Sequence, residues 1–250
     1  MDPDGNQRRP NLSLPLLSVV VPVYNEGDNI GPVLRRFASA VNTRPREVLV
    51  VYDFDGDTTV PAVRAIQAEL PEVKLVRNEI GRGVLNAIKA GFVAAQAPNI
   101  LVMMADGSDE PQAIDDMVGE ASSGADVVSA SRYMSGGHQI GGPILKRLLS
   151  RSAGLSLHWI AGIPTHDPTN NFKLYSRRLL QAVKIESEAG FELALELTVK
   201  AHALGMKVAE VPTTWRDRTA GESRFRIWQW MPHYLHWYAY GMRSRLTQRR

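Results

Sequence analysis

An apolar run, Ile100–Met104, ends in Ala105, Asp106, Gly107, Ser108, Asp109 and Glu110 before Pro111. A buried strand that delivers carboxylates at its exit puts them where open α/β sheets bind ligands. Acidic oxygens on a tight loop suit a hard cation, Mg2+ or Mn2+, and such a cation implies a phosphorylated substrate, most naturally a nucleotide sugar. Asp106 and Asp109 are the candidate metal ligands, and Gly107 supplies the turn between them.

Two further strand exits carry similar chemistry. Pro22 stops the first apolar run and is followed by Tyr24 and Glu26, an aromatic that can stack on a base and a carboxylate that can accept from ring or ribose donors. The same residues also suit a plain strand exit with an acid at a helix entry. Asp53, Asp55 and Asp57 follow the second run; Asp55 and Asp57 have the spacing of turn and cap residues, which leaves Asp53 as the ligand contact. Gly81 and Gly83 flank Arg82 at a helix entry and form a candidate phosphate cradle. A third glycine is missing, so dinucleotide binding is the lesser reading.

Cations gather in the second half. Arg132, Lys146, Arg147 and Arg151 accompany Ser150, and Lys146 and Ser150, four residues apart, share a helix face. Such a group is either a solvated basic face or a second phosphate site. Arg216, Arg218, Gly221, Ser223 and Arg224 have the composition of a lid whose guanidinium groups neutralise a leaving diphosphate.

These residues need a scaffold. Apolar runs at Leu16–Val21, Val48–Tyr52, Ile100–Met104 and 126–131 read as buried parallel strands. Between them, Ile30, Val33, Leu34, Phe37 and Val41 mark one amphipathic helix, with Asp28 or Asn29 as its cap. Val60, Val63, Ile66 and Leu70 mark a second helix, and Val84, Leu85, Ile88 and Phe92 a third. Repeated β–α units predict an α/β fold, a mainly parallel twisted sheet with helices on both faces. Later, residues 143–163 read as a basic amphipathic helix, 172–175 and 207–211 as strands, and Phe191, Ala194, Leu195, Thr198 and Ala201 as one helix face. The simplest division is an extended tail over 1–15, one domain over 16–225 and an amphipathic extension over 226–250.

The 250 residues, 44% of them hydrophobic, suffice for one large α/β domain. A net charge of +3 is too mild to predict nucleic-acid binding. With no cysteine, disulfides, cysteine-ligated zinc and a thiol nucleophile are excluded, and a reducing cytoplasm is the expected setting. No run has the ~18–20 apolar residues of a membrane span. In the extension, Ile227, Trp230, Met231, Tyr234, Leu235 and Tyr238 keep helical spacing, with Trp237 and Tyr240 beside them and arginines after them. That pattern suits either a membrane interface or packing against the domain or a second copy, and Pro232 should kink the helix or start a new one.

In order along the chain, these motifs resemble the family 2 glycosyltransferases of the GT-A fold, in particular their dolichol-phosphate (polyprenyl-phosphate) mannosyltransferase branch. The resemblance runs from about Ser18 to about Phe225. It rests on residues 20–26 as the opening strand and nucleotide loop, and on Asp53 in the second-strand motif. It continues through 78–91 as a glycine-punctuated helix entry, and through Arg132, Lys146 and Ser150 where that branch holds a lipid phosphate. Residues 167–172 resemble its Asp-x-x-Ser-Gly-Phe loop, and 218–224 its Arg-x-x-Gly-x-Ser-Lys lid. There are three departures: Met104 stands for the first acid of Asp-x-Asp, Ser108 for a frequent Gln, and Asn170-Asn171 for Ser-Gly.

The resemblance implies an inverting, metal-dependent hexosyltransferase at the cytoplasmic face of a membrane. Pro22, Tyr24, Glu26, Asp53, Asp106 and Arg218 would bind the donor, GDP-mannose or a UDP-hexose. A phosphate acceptor is already ionised and needs no base, whereas a hydroxyl acceptor needs one, for which Asp167 and Glu192 are the candidates. Two other readings stay open: transfer from a UDP-sugar to a glycan or small-molecule hydroxyl, and a nucleotide-binding module without catalysis. A homo-oligomer is compatible with either.

Overall fold

Short runs of β-branched residues bounded by turn signals form the strands, and the apolar stripes between them form the covering helices. The structure is a computed structural model that describes residues 14–217 and 227–248, the backbone alone for 227–230 and 245–248. Strands β1 (Leu17–Pro22), β2 (Arg46–Tyr52), β3 (Val73–Arg77) and β4 (Asn99–Val102) are parallel, in the spatial order β3-β2-β1-β4. Beyond β4 lie β7 (Lys173–Ser176), β5 (Val127–Ser131) and β8 (Val208–Pro212). β7 runs antiparallel to both its neighbours, while β5 and β8 are parallel. The exits of β1, β2, β4, β5 and β8 and the entry of β7 therefore share one edge of the sheet. Strand order reverses on either side of β1, which is where a ligand crevice forms in such sheets.

Alternate residues of the central strands feed two cores. Val19, Val21, Val48 and Val50 pack with α1 (Gly27–Ala40), α2 (Thr59–Ile66) and α4 (Ile114–Ser122). Val20, Leu49 and Val51 pack with α3 (Val84–Ala94), α6 (Arg177–Ala182) and α7 (Leu193–Ala203). At Gly91 a Cβ would stand 2.3 Å from Val20 Cγ1, so only glycine lets α3 lie this close to β1. The expected cap of α1 is displaced: Glu26 precedes the first turn, and hydroxyls from α2's entry accept instead, Thr59 from the Glu26 N–H (2.9 Å) and Thr58 from the Gly27 N–H (3.3 Å).

Residues 143–163 form α5 (Ile144–Ser156), which continues into a π-helical turn, Leu157–Ala161, closed by left-handed Gly162. A second, two-stranded sheet pairs β6 (His138–Ile140) with β9 (Thr214–Arg216). The last helix, α8 (Ile227–Gln248), is one element with Pro232 inside it, so the proline neither ends nor restarts it. Its aromatic face turns inward. Trp237 is buried in a core with Leu157, Ile163, Leu195 and Val199, flanked by Tyr234, Tyr238 and Met242. Tyr234 donates to the Phe191 carbonyl (2.7 Å), and Tyr238 meets Ser156 at 2.9 Å. Packing against the domain accounts for Tyr234, Trp237 and Tyr238, while Leu235 and Tyr240 stay exposed. Among the described residues no helix is long and apolar enough to cross a membrane.

Candidate active site

The β4 exit is built as a self-bonded loop. Gly107 adopts φ +73°, and the Ser108 amide (3.1 Å) and hydroxyl (2.6 Å) both donate to Asp106 Oδ1, which holds that half-buried carboxylate at the sheet edge. Asp109 turns the other way. It is buried, and its Oδ2 accepts from the Met104 N–H at 2.9 Å, closing the loop under Asp106. Burial, reinforced by the negative charge of Asp106, pushes the Asp109 carboxyl up to about 7. The two proposed metal ligands thus differ in kind, one presented at the edge and one engaged behind it.

Among the described residues no group of three or more His, Asp or Glu side chains is arranged to hold a metal. Met104 contributes no oxygen where the resembling motif has a carboxylate. Magnesium is commonly held by one or two carboxylates together with substrate phosphates and water, so Asp106 fits a cation that arrives with a diphosphate. It does not fit one caged by protein alone.

The donor-side loops brace one another. Asp57, buried, accepts from the Asn25 amide at 3.1 Å through both oxygens and from the Thr59 amide at 2.8 Å, and Asn25 takes φ 55°. This fixes the turn that exposes Tyr24. Tyr24 lies 5.7 Å from Phe54 between ring centroids, and the Arg82 guanidinium stands over the Phe54 ring, 5.6 Å from its centroid. Phe54 and Arg82 were not singled out by spacing, since one looks like a strand-exit apolar residue and the other like a surface cation. Asp53 accepts from Asn78 Nδ2 (2.7 Å) and from the Gly83 amide (2.8 Å). The Gly83 N–H is therefore spent on Asp53, which weakens the phosphate-cradle reading of Gly81 and Gly83. Glu26 accepts from Asn29 Nδ2 at 2.7 Å.

On the other side of Asp106 the exit of β5 meets the loop before β7. Arg132, half-buried, pairs with the fully buried Asp167, and the Arg132 amide also donates to Asp167 Oδ2 (3.1 Å). Burial alone would raise the Asp167 carboxyl, but the Arg132 charge and its hydrogen bonds outweigh it and hold the group below the usual carboxylate range. Tyr133 links this pair to α5: its hydroxyl bonds Ser150 and donates to Gln139 Oε1 (3.0 Å), while Arg132 stands 4.9 Å from its ring centroid. Lys146, half-buried, lies one turn before Ser150 on α5. Arg132 and Ser150 are thereby linked through Tyr133, with Lys146 one turn earlier on the same helix.

The two carboxylates considered as bases have other work. Asp167 serves Arg132. Glu192, buried, accepts from the amides of Glu188 (3.1 Å), Ala189 (2.8 Å) and Gly190 (2.8 Å), and so caps the turn into α7. Arg218, Gly221, Ser223 and Arg224 lie outside the described residues. The strand leading to them is anchored at the site: the Arg216 amide donates to the Ser108 carbonyl (3.1 Å) and the Thr214 amide to Glu110 Oε2 (3.1 Å).

Comparison with known proteins bears on the family and the fold. A model described as glycosyl transferase family 2 matches residues 18–184. The chain is 29% identical over 224 residues to a dolichol-phosphate mannosyltransferase of Pyrococcus furiosus, covering 87% of this chain and 62% of that protein. It is 30% identical to an undecaprenyl-phosphate mannosyltransferase of Micrococcus luteus, covering 82% of this chain and 85% of that one. A polyprenol monophosphomannose synthase of Mycolicibacterium smegmatis is 29% identical, with 93% and 89% covered. Among solved structures, glucosyl-3-phosphoglycerate synthase from Mycobacterium tuberculosis, in complex with Mn2+, uridine-diphosphate and glucosyl-3-phosphoglycerate, superposes with a TM-score of 0.65. At 19% identity, over 92% of this chain and 80% of that one, it speaks to the fold alone. The sheet order, the loop that presents Asp106 and the match over residues 18–184 lead to one assignment: the chain belongs to glycosyl transferase family 2.

Proposed function

We propose that this protein transfers a hexose from a nucleotide sugar to a polyprenyl phosphate, with inversion at the anomeric carbon. The observation that carries the reading is α5. Its Ser150 bonds Tyr133 next to Arg132, Lys146 precedes it by one turn, and its outward face exposes Ile144, Leu145, Leu148 and Leu149, followed by Trp159 and Ile160 in the π-helical turn. No acidic residue occurs between Asp126 and Asp167, a stretch that contains Arg132, Lys146, Arg147 and Arg151. Cations beside an uncovered apolar face suit a ligand with a phosphate head and a hydrocarbon tail, at the surface of an anionic bilayer.

In this scheme an oxygen of the acceptor phosphate attacks the anomeric carbon while the bond to the donor diphosphate breaks. The phosphate is already ionised, so no base is required. That agrees with the engagement of Asp167 and Glu192, which act here as positioning groups. Tyr24 and Phe54 offer aromatic surface to the base, and Asp53 holds the neighbouring turn through Asn78 and the Gly83 amide. A Mg2+ or Mn2+ ion held by Asp106 and the donor diphosphate would neutralise charge on the leaving group, a task in which Arg218 is the candidate partner. The names of the relatives support mannose as the hexose, and GDP-mannose is the first donor to test.

The test is a donor screen, GDP-mannose and UDP-hexoses with Mg2+ or Mn2+, with a short-chain prenyl phosphate present and absent. Transfer that depends on the prenyl phosphate is the expected result. Transfer to hydroxyl acceptors only would overturn the acceptor, and no turnover with any donor would leave a binding module.

A further inference from the structure

Lys173 opens β7 and is fully buried, although nothing in the scheme above uses it. Its Nζ donates to two main-chain carbonyls, Asp167 O at 2.8 Å and Asn170 O at 2.7 Å. These are the two ends of the turn that aims the Asp167 side chain at Arg132. The same turn is held from its other side by Asn170 Nδ2, which donates to the Ala130 carbonyl (2.8 Å). Burying an ammonium is costly, and both of its hydrogen-bond partners are carbonyls, so no direct ion pair with a carboxylate repays that cost.

The charges nearby explain what the position achieves. Asp167 takes two bonds from the Arg132 guanidinium and cancels its charge. Glu210, on β8, is engaged with the Thr165 hydroxyl, the His166 amide and His166 Nδ1. Lys173 returns a positive charge to the Arg132–Asp167 pair from beneath, where solvent does not screen it.

We propose that Lys173 is a positioning residue for an anionic acceptor: it fixes the 167–170 turn, and with it Arg132, and it restores the positive charge that Asp167 removes. This rests on the phosphate-acceptor reading above.

Two properties separate this role from plain stability. The first is selectivity between ligands. In calorimetric titrations of the full chain, Lys173→Met should weaken binding of a short-chain prenyl phosphate about tenfold while a nucleoside diphosphate with Mn2+ binds within about twofold. Lys173→Arg, which keeps the charge, should retain most of the affinity. The second is the sign of the pH dependence. Burial, with the Arg132 charge adding to it and those of Asp167 and Glu210 opposing it, brings the Lys173 amine down to about 7. Wild-type affinity for the prenyl phosphate should therefore fall from pH 6 to pH 8, although the ligand itself gains charge with a second pKa of about 6. Asp109 ionises over the same range and acts in the same direction, so the titration is repeated in Asp109→Asn, where the fall should persist.

A folded Lys173→Met with unchanged prenyl-phosphate affinity, or with an equal loss for the nucleotide, overturns the proposal. So does a rise in wild-type affinity across that pH range, a readout that survives even if the variant fails to fold. A wild-type chain that binds nucleotide but no prenyl phosphate overturns the acceptor reading itself, and this inference with it.

Discussion

Arg132 and Asp167 form a buried two-point ion pair, with Nε 2.7 Å from Oδ2 and Nη2 2.9 Å from Oδ1. Removing one partner leaves the other charged in a largely desolvated site. Asp167→Asn should therefore destabilise the fold by roughly 3–5 kcal/mol, read as a lower midpoint in denaturant or on heating. The sign with pH follows from the depressed carboxyl: its folded value lies below its unfolded value of about 3.9. The pair's contribution is then complete at neutral pH and is lost as pH falls through the folded value. Acid titration of wild type and variant should converge at the low end, and a gap that stays constant with pH would contradict the pairing.

Glu192 separates a positioning role from a basic one. Three amides donate to its carboxylate, and Gln offers one acceptor oxygen fewer while adding an N–H that faces donors. Glu192→Gln should cost roughly 1–3 kcal/mol of stability. Per folded molecule, kcat should stay nearly unchanged. A fall of about 10²–10⁴ in kcat at full folding would instead mark a general base.

Much of this arrangement was written locally, and the missing parts were non-local. Apolar runs and helical stripes located β1, β2, β4 and α1 because a buried parallel strand and an amphipathic helix are periodic by themselves. The edge strand β3 went unread, since Lys74 and Arg77 make Val73–Arg77 look like surface. The run around Phe172–Tyr175 announced a strand but not that it inserts antiparallel between β4 and β5, a choice made by partners far away in sequence. The aromatic stripe of α8 was legible as a buried face, yet periodicity does not name what buries it. Asp106 could be found from its strand exit. Lys173 could not, because a lysine at a strand start carries no local sign that its ammonium will be enclosed.

Asp109 carries its own pH signature. Its folded carboxyl is raised to about 7, above an unfolded value of about 3.9. A raised group contributes stability that is present below the unfolded value and is lost as pH rises through the folded one. Wild type should lose stability between about pH 4 and pH 7 by this route. Asp109→Asn, whose amide oxygen can still accept from the Met104 N–H, should not. Melting temperatures of both proteins at pH 5 and pH 8 check it: the variant should gain on wild type at pH 8. If wild type is the more stable at pH 8, the carboxylate is being held ionised there.

The two acids of the β4 exit should also part in their response to metal. Asp106→Asn should lose about 10²–10³ of Mn2+-stimulated turnover, the usual size of a lost transition-state charge contact. Asp109→Asn should keep the Mn2+ concentration for half-stimulation within a few-fold, because its side chain points back at Met104. Equal losses in the two variants would make Asp109 a ligand after all.

The outward face of α5 makes the last prediction. Trp159 is 72% exposed and Leu148 56%, and Arg151 is exposed beside them. Exposed apolar side chains contribute little to folding, so Leu148→Glu with Trp159→Glu should leave the melting temperature nearly unchanged. The same pair should abolish co-sedimentation with vesicles that contain phosphatidylglycerol, since it replaces the apolar contacts with charges that the anionic surface repels. Wild type should bind those vesicles more tightly than phosphatidylcholine vesicles, and added salt should weaken it, as each cation near an anionic surface is worth about 1 kcal/mol. Retention of vesicle binding in the double variant would mean that another surface, or none on α5, meets the bilayer.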